Sequence, residues 1–159
     1  MATIETTPAA APLWFIDNLA RIHVDGAASG GALAVVEGVG RQGDMPPLHV
    51  HTVEDETFYV LEGTLSLHVA GAEPVTLETG RAVLAPRGVA HAYRVESESA
   101  RWLTICTPAG FDEFVREASD PAERDELPPA GRPIDLDRIG AAAARAGIEL
   151  LGPPGTLPS

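Results

Sequence analysis

His49 and His51 stand two residues apart in the stretch GDMPPLHVHTVEDETFYVLEG, residues 43–63, and Glu56 follows five positions after the second histidine. In an extended strand, residues i and i+2 project from one face. The two imidazoles can therefore reach a single point, while Val50 turns to the opposite, packed side. A His-x-His pair with a nearby carboxylate is a ligand set for a borderline first-row divalent ion. Two surface histidines on an amphipathic edge would have the same spacing, but would leave the surrounding Gly, Pro and Glu punctuation without a role.

For these residues to act together, the chain must fold them into packed strands. TFYVL and TLSLHV flank Glu62-Gly63 and predict a hairpin with a two-residue loop. That register opposes Leu61 to Thr64, Val60 to Leu65, Phe58 to Leu67 and Glu56 to Val69, and opposed residues share a face. One face is then Glu56, Phe58, Val60, Leu65, Leu67 and Val69, with the carboxylate against an apolar wall. His68 falls on the other face and is not counted as a ligand.

Upstream, residues 1–12 are small, polar and Pro-containing, the composition of a disordered tail. Residues 13–26 are expected as a strand pair or an extended arm. There Ala20, Ile22 and Val24 alternate with Arg21, His23 and Asp25, so His23 reads as a solvated strand histidine. Trp14, Phe15 and Ile16 in a row are more apolar bulk than one strand face of a monomer buries, which predicts a homodimer. A turn at 29–31 precedes a strand over 32–39. Beyond Pro108, the residues Phe111, Phe114, Val115 and Ala118 follow helical spacing. A charged, Pro-rich surface connection covers 119–133. Asp135 can cap a second helix that carries Leu136, Ile139 and the alanines 141–144, with Gly147 as its stop. Ile148, Leu150 and Leu151 can dock on the barrel, and residues 152–159 are expected to be loosely ordered. The organisation is a tail (1–12), an all-β antiparallel barrel (13–110), and a helical extension with its tail (111–159).

A second stretch, GRAVLAPRGVAHAYRV at residues 80–95, adds to the first. The two resemble the paired motifs of the cupin superfamily. Gly43, His49, His51, Glu56 and Gly63 match the first, G-x5-HxH-x3,4-E-x6-G. Gly80, Pro86, Gly88 and His91 match the second, G-x5-PxG-x2-H-x3-N, except that Val95 replaces the final Asn. That Asn is not a metal ligand in the family; its loss bears only on local hydrogen bonds. The resemblance implies a jelly-roll of two packed sheets, often dimeric, with His49, His51, Glu56 and His91 as metal ligands. It extends to small single-domain cupins similar to quercetinases. Those are dioxygenases that bind a flavonol at the metal, use the Glu as ligand and proton acceptor, and cleave the ring with O2. Glu56 is on that basis a catalytic candidate. Tyr93, in phase with His91, is a second one: either a substrate contact or a lining aromatic whose hydroxyl is hydrogen-bonded.

Three imidazoles and a carboxylate suit Fe, Mn, Co, Ni, Cu or Zn, with positions open for water or substrate, and do not select among them. The same site could serve a non-redox isomerase, lyase or cyclase, or a metal-containing small-molecule-binding protein without turnover. A formal net charge of −12 argues against nucleic acid and anionic membrane surfaces as partners. All 11 basic residues are Arg, so lysine Schiff-base chemistry is excluded. The single cysteine, Cys106, rules out an internal disulfide and reads as a small buried apolar residue. The N-terminus lacks the basic and apolar regions of a secretory signal, and a cytoplasmic location is expected. The expected partner is a small molecule, apolar or aromatic.

Overall fold

In the computed structural model, which describes residues 10–159, the chain forms two antiparallel sheets in the jelly-roll arrangement. The first half contains β1 (Leu13–Phe15), β2 (Asn18–Val24), α1 (Gly26–Ser29), β3 (Ala34–Arg41), β4 (Pro47–His51), β5 (Asp55–Glu62) and β6 (Thr64–Val69). The second contains β7 (Val75–Glu78), β8 (Ala82–Ala85), β9 (His91–Val95), β10 (Ser99–Thr107), α2 (Phe111–Ala118), β11 (Ser119–Pro121), α3 (Leu136–Arg145) and β12 (Ile148–Pro154). One sheet has the order β11-β1-β2-β3-β10-β5-β8 and the other β12-β4-β9-β6-β7. The tail expected over residues 1–12 lies, up to residue 9, outside the described residues. No helix among the described residues is long and apolar enough to cross a membrane.

Alternation sets which side chains enter the core. Glu56, Phe58 and Val60 on β5 and Leu65 and Leu67 on β6 are buried, whereas Thr57, Tyr59 and Thr64 are not. Phe58, Val60, Leu65, Leu67, Val95 and Trp102 then share one cluster that joins the two sheets. The hairpin predicted around Glu62-Gly63 is not formed. β5 pairs with β10 and β8, while β6 pairs with β9 and β7. Phe58 faces Thr104 and Val83 across the ladder instead of Leu67, and Glu56 faces Cys106 and Ala85 instead of Val69. Gly63 is a corner that carries the chain from one sheet to the other. It has φ +79°, and a Cβ there would lie 2.4 Å from the Ser99 carbonyl. The inward face survives because both strands turn the same residues toward the shared interior; Ser66, expected on the other face, is buried as well, with its hydroxyl donating to Glu96 at 2.6 Å.

β1 and β2 pair as the expected strand pair. Trp14 and Phe15 point to opposite sides and both find partners inside the chain, which removes the reason given for a homodimer. Trp14 is 5% exposed and its indole N–H donates to the Glu126 carbonyl at 2.9 Å. Phe15 packs edge-on against Phe114, with centroids 5.4 Å apart. The helix α2 buries Phe111, Phe114, Val115 and Ala118, the four residues that its spacing indicated. Asp135 caps α3 by accepting the Arg138 N–H at 2.9 Å, although Leu136 itself is exposed. Two stretches differ from expectation. The connection after α2 contains β11, which extends the larger sheet through β1. Residues 148–154 form β12 along β4, so a strand runs into the stretch expected to be loosely ordered.

Candidate metal centre

β4 turns His49 and His51 to one side, where both are buried, and leaves Val50 half-buried. His91, the first residue of β9, lies directly opposite His49 in the ladder. Glu56 comes from β5 in the other sheet and is 3% exposed. The four residues identified from the sequence thus meet between the sheets, each offering one ligand atom, and those atoms lie within 4.8 Å of one another.

A second contact orients each ring. His49 Nδ1 donates to the Pro47 carbonyl at 2.7 Å, and His91 Nδ1 to the Val89 carbonyl at 3.0 Å. His51 Nδ1 donates to Glu54 Oε1 at 2.9 Å. With every Nδ1–H committed in this way, all three rings turn Nε2 toward the common point. Nε2 of His51 is buried and has no hydrogen-bond partner. Oε2 of Glu56 lies 2.8 Å from Nε2 of His91 and 3.4 Å from Nε2 of His51. Two donors each about 2.1 Å from one ion are about 3.0–3.4 Å apart at right-angled or tetrahedral geometry. Glu56 thus lies near ligand spacing from both histidines, and the donor set suits a divalent transition-metal ion.

The electrostatics agree with a cation-seeking site. Burial pushes the Glu56 carboxyl up, but the positive charge on His51 and the hydrogen bond and charge of His91 outweigh it and hold the group down at about 2. Burial pushes His49 down to about 4, against the attraction of Glu56. His51 is also pushed down by burial, yet the Glu56 charge and the Glu54 hydrogen bond leave it raised.

A cavity opens beside the cluster. Its walls include Phe15, Ile16, Trp102, Phe111 and Leu150, and His49, His51 and Glu56 form part of its surface. Tyr93 lines it too, and its hydroxyl donates to Asn18 Oδ1 at 2.7 Å. Asn18 in turn donates to Asp44 Oδ2 at 3.2 Å. Burial, reinforced by nearby carboxylates, pushes the Tyr93 phenol up, so it keeps its proton. His68 is outside the cluster, with Nε2 3.0 Å from Ser66 Oγ, and His23 pairs with Glu37 at 2.8 Å. Cys106 is fully buried.

Sequence reasoning passed over Glu54 and Asn18. Glu54 sits in the four-residue gap between His51 and Glu56, where it and Asp55 are both acidic and nothing in the sequence singles one out. Asn18 gave none, because its role depends on Tyr93, 75 residues away. At Val95, which departs from the motif, the main chain ties the two motifs together. Its N–H donates to the Asp44 carbonyl at 3.0 Å, and its carbonyl accepts the Gly43 N–H at 2.9 Å.

Two antiparallel sheets with three imidazoles and a carboxylate meeting between them define a jelly-roll with a candidate metal centre. The chain belongs to the cupin superfamily: residues 36–106 match the family model described as Cupin domain. Quercetin 2,3-dioxygenase of Bacillus subtilis (strain 168) is 32% identical over 123 residues, which cover 77% of this chain and 36% of that protein. The chain thus spans about a third of the length of that curated relative. Among solved structures, KdgF from Halomonas sp. superposes with a TM-score of 0.54 at 21% identity, covering 61% of this chain and 85% of that one. An RmlC-like cupin from Shewanella frigidimarina gives 0.54 at 19% identity, with 64% and 87% covered. Procruciferin, an 11S globulin from Brassica napus, gives 0.51 at 19% identity, with 58% and 26% covered. At these identities the likeness is one of fold.

Proposed function

We propose that this chain is a metal-dependent, dioxygenase-type oxidoreductase acting on a small aromatic or enolisable, flavonol-like substrate. His49, His51, His91 and Glu56 hold one divalent ion drawn from Fe, Mn, Co, Ni, Cu and Zn. The observation that carries the reading is an ionised, buried Glu56 at the wall of an aromatic-lined cavity. The 32% identity to a quercetin dioxygenase supports it. When bound, the ion would supply Lewis-acid capacity at its open positions and, for any of the six except Zn, redox capacity as well.

The chain's own residues do the rest. Glu56 swings away from the other three ligands, and its carboxylate accepts the proton of an acidic substrate hydroxyl, leaving an enolate oxygen and a neutral carboxyl. Phe15, Trp102 and Phe111 supply flat apolar surface for a ring and exclude water. Tyr93 positions substrate by hydrogen bonding and is not the base, since burial holds its phenol protonated. No arginine lines the cavity, and the chain has no lysine, whereas Asp17 and Asp44 are among the lining residues. A carboxylate or phosphate substrate would meet no compensating cation there. A neutral phenol suits the site better.

As the assembly, we propose a homodimer on grounds other than Trp14 and Phe15. Tyr59 and Leu84, on neighbouring strands β5 and β8, are exposed on one outer face beside the free edge of β8. Pairing across a two-fold axis would cover both the patch and the edge.

The test loads metal-free protein with each of the six ions and records oxygen uptake with quercetin and with simpler enolisable phenols. Metal-dependent uptake with a ring-opened product supports the dioxygenase. Product without oxygen uptake would replace it with an isomerase, lyase or cyclase. Tight binding without product would make the chain a binding protein.

A further inference from the structure

Glu54 is a carboxylate of the first motif that the ligand pattern leaves over. It is 2% exposed, and both of its oxygens are used. Oε1 accepts from His51 Nδ1 at 2.9 Å, and Oε2 accepts the Phe111 N–H at 3.1 Å. Phe111 begins α2, stands 5.8 Å from the His51 ring by centroid, and forms part of the cavity wall. We propose that Glu54 is the positioning residue of the metal centre: one carboxylate sets the tautomer of His51 and seats α2, so that a metal ligand and a substrate-facing wall are held by the same group. This rests on the metal reading given above.

The three imidazoles differ in what orients them. His49 and His91 are oriented by carbonyls two residues back along their own chain, so strand geometry alone aims them. Only His51 depends on a side chain, and that side chain also holds an element 57 residues away. Both contacts need acceptors, and only a carboxylate offers two. In Glu54→Gln, one orientation puts the amide NH2 against His51 Nδ1. That forces the ring proton to Nε2 and blocks the lone pair needed for a metal. The other orientation sets NH2 against the Phe111 N–H, donor against donor, and unseats α2. A residue that served only to hold the helix would leave the His51 tautomer alone.

The test uses the full chain, metal-free, as parent, Glu54→Gln and Glu54→Ala. Zinc affinity is measured by competition with a chromogenic chelator. The His51 tautomer is read by long-range proton–nitrogen NMR in mildly alkaline solution, and the Phe111 amide by hydrogen exchange. The parent should show His51 protonated at Nδ1. Glu54→Gln should lose about 10–100-fold in zinc affinity, together with a switch of the His51 proton to Nε2 or loss of Phe111 protection. Zinc affinity within about threefold of the parent in both variants, with the tautomer unchanged, would overturn the proposal. Should neither variant fold, the parent spectrum decides, because a His51 protonated at Nε2 contradicts the geometry outright. The two readings fail separately: a parent that does not bind zinc sinks the metal centre, while a parent and variants that bind alike sink Glu54.

Discussion

Glu56 is pulled two ways, upward by burial and downward by three imidazoles, and the imidazoles win. The carboxylate is therefore ionised, which both a metal ligand and a proton acceptor require, and substitution is needed to tell the two roles apart. In Glu56→Gln the amide oxygen can still coordinate weakly but accepts no proton. Turnover per bound metal should fall by about 10²–10⁴-fold; activity within severalfold of the parent would show that Glu56 is not the base. His91→Ala should strip most of the metal from folded protein, as judged by elemental analysis, whereas His68→Ala and His23→Ala should leave it near the parent level. Full occupancy in His91→Ala would end the four-ligand description. The pH dependence follows from the two shifted imidazoles. His49, lowered to about 4, has no proton to lose above that pH. His51, raised above its ordinary 6.5, must lose one before its Nε2 can bind an ion. Zinc affinity of the metal-free protein should therefore rise with pH through and beyond 6.5. An affinity that stays flat across that range would contradict the assigned shift.

At the scale of elements, the cavity depends on strands approaching closely where one of them has no side chain. Gly38 on β3 pairs with Trp102 on β10, and a Cβ at Gly38 would lie 2.6 Å from the indole ring. Trp102 also contacts Tyr93, with centroids 5.0 Å apart, so a shift of the indole would be felt at the cavity. Gly38→Ala should destabilise the fold by about 1–3 kcal/mol through overpacking, measured by denaturant unfolding. A midpoint equal to the parent's would mean that the ring has room to move. β12 has a related role on the other side. It covers the outer edge of β4, pairing Ile148 with His51 and Leu150 with His49, and so holds the strand of the two histidines between two neighbours.

For the whole molecule, the exposed faces and the charge set the expectations. Light scattering should report a dimer, and Leu84→Arg should move the mass toward monomer without loss of metal. A well-behaved monomeric parent would refute the assembly. Because each copy carries a net charge of −12, like-charge repulsion should weaken the dimer at low salt, and added salt should strengthen it.

Local rules made much of the chain legible. Period-two alternation is a property of extended backbone itself, so Glu56, Phe58, Val60, Leu65 and Leu67 could be sorted from Thr57, Tyr59 and Thr64 without knowing their partners. Helical spacing did the same for the buried face of α2, and a capping carboxylate marked the start of α3. The spacing of two motifs picked out His49, His51, Glu56 and His91. The tertiary structure decided the pairings. A tight hairpin and a corner between sheets bury the same face of β5 and β6, so hydrophobic pattern cannot tell them apart; the space at Gly63 beside Ser99 does. Trp14 and Phe15 looked surplus because the elements that receive them, the segment holding Glu126 and the helix α2, lie about a hundred residues further on. Glu54 and Asn18 were silent for the same reason. A buried polar side chain is defined by the group it satisfies, and when that group comes from a distant element only the folded chain brings the two together.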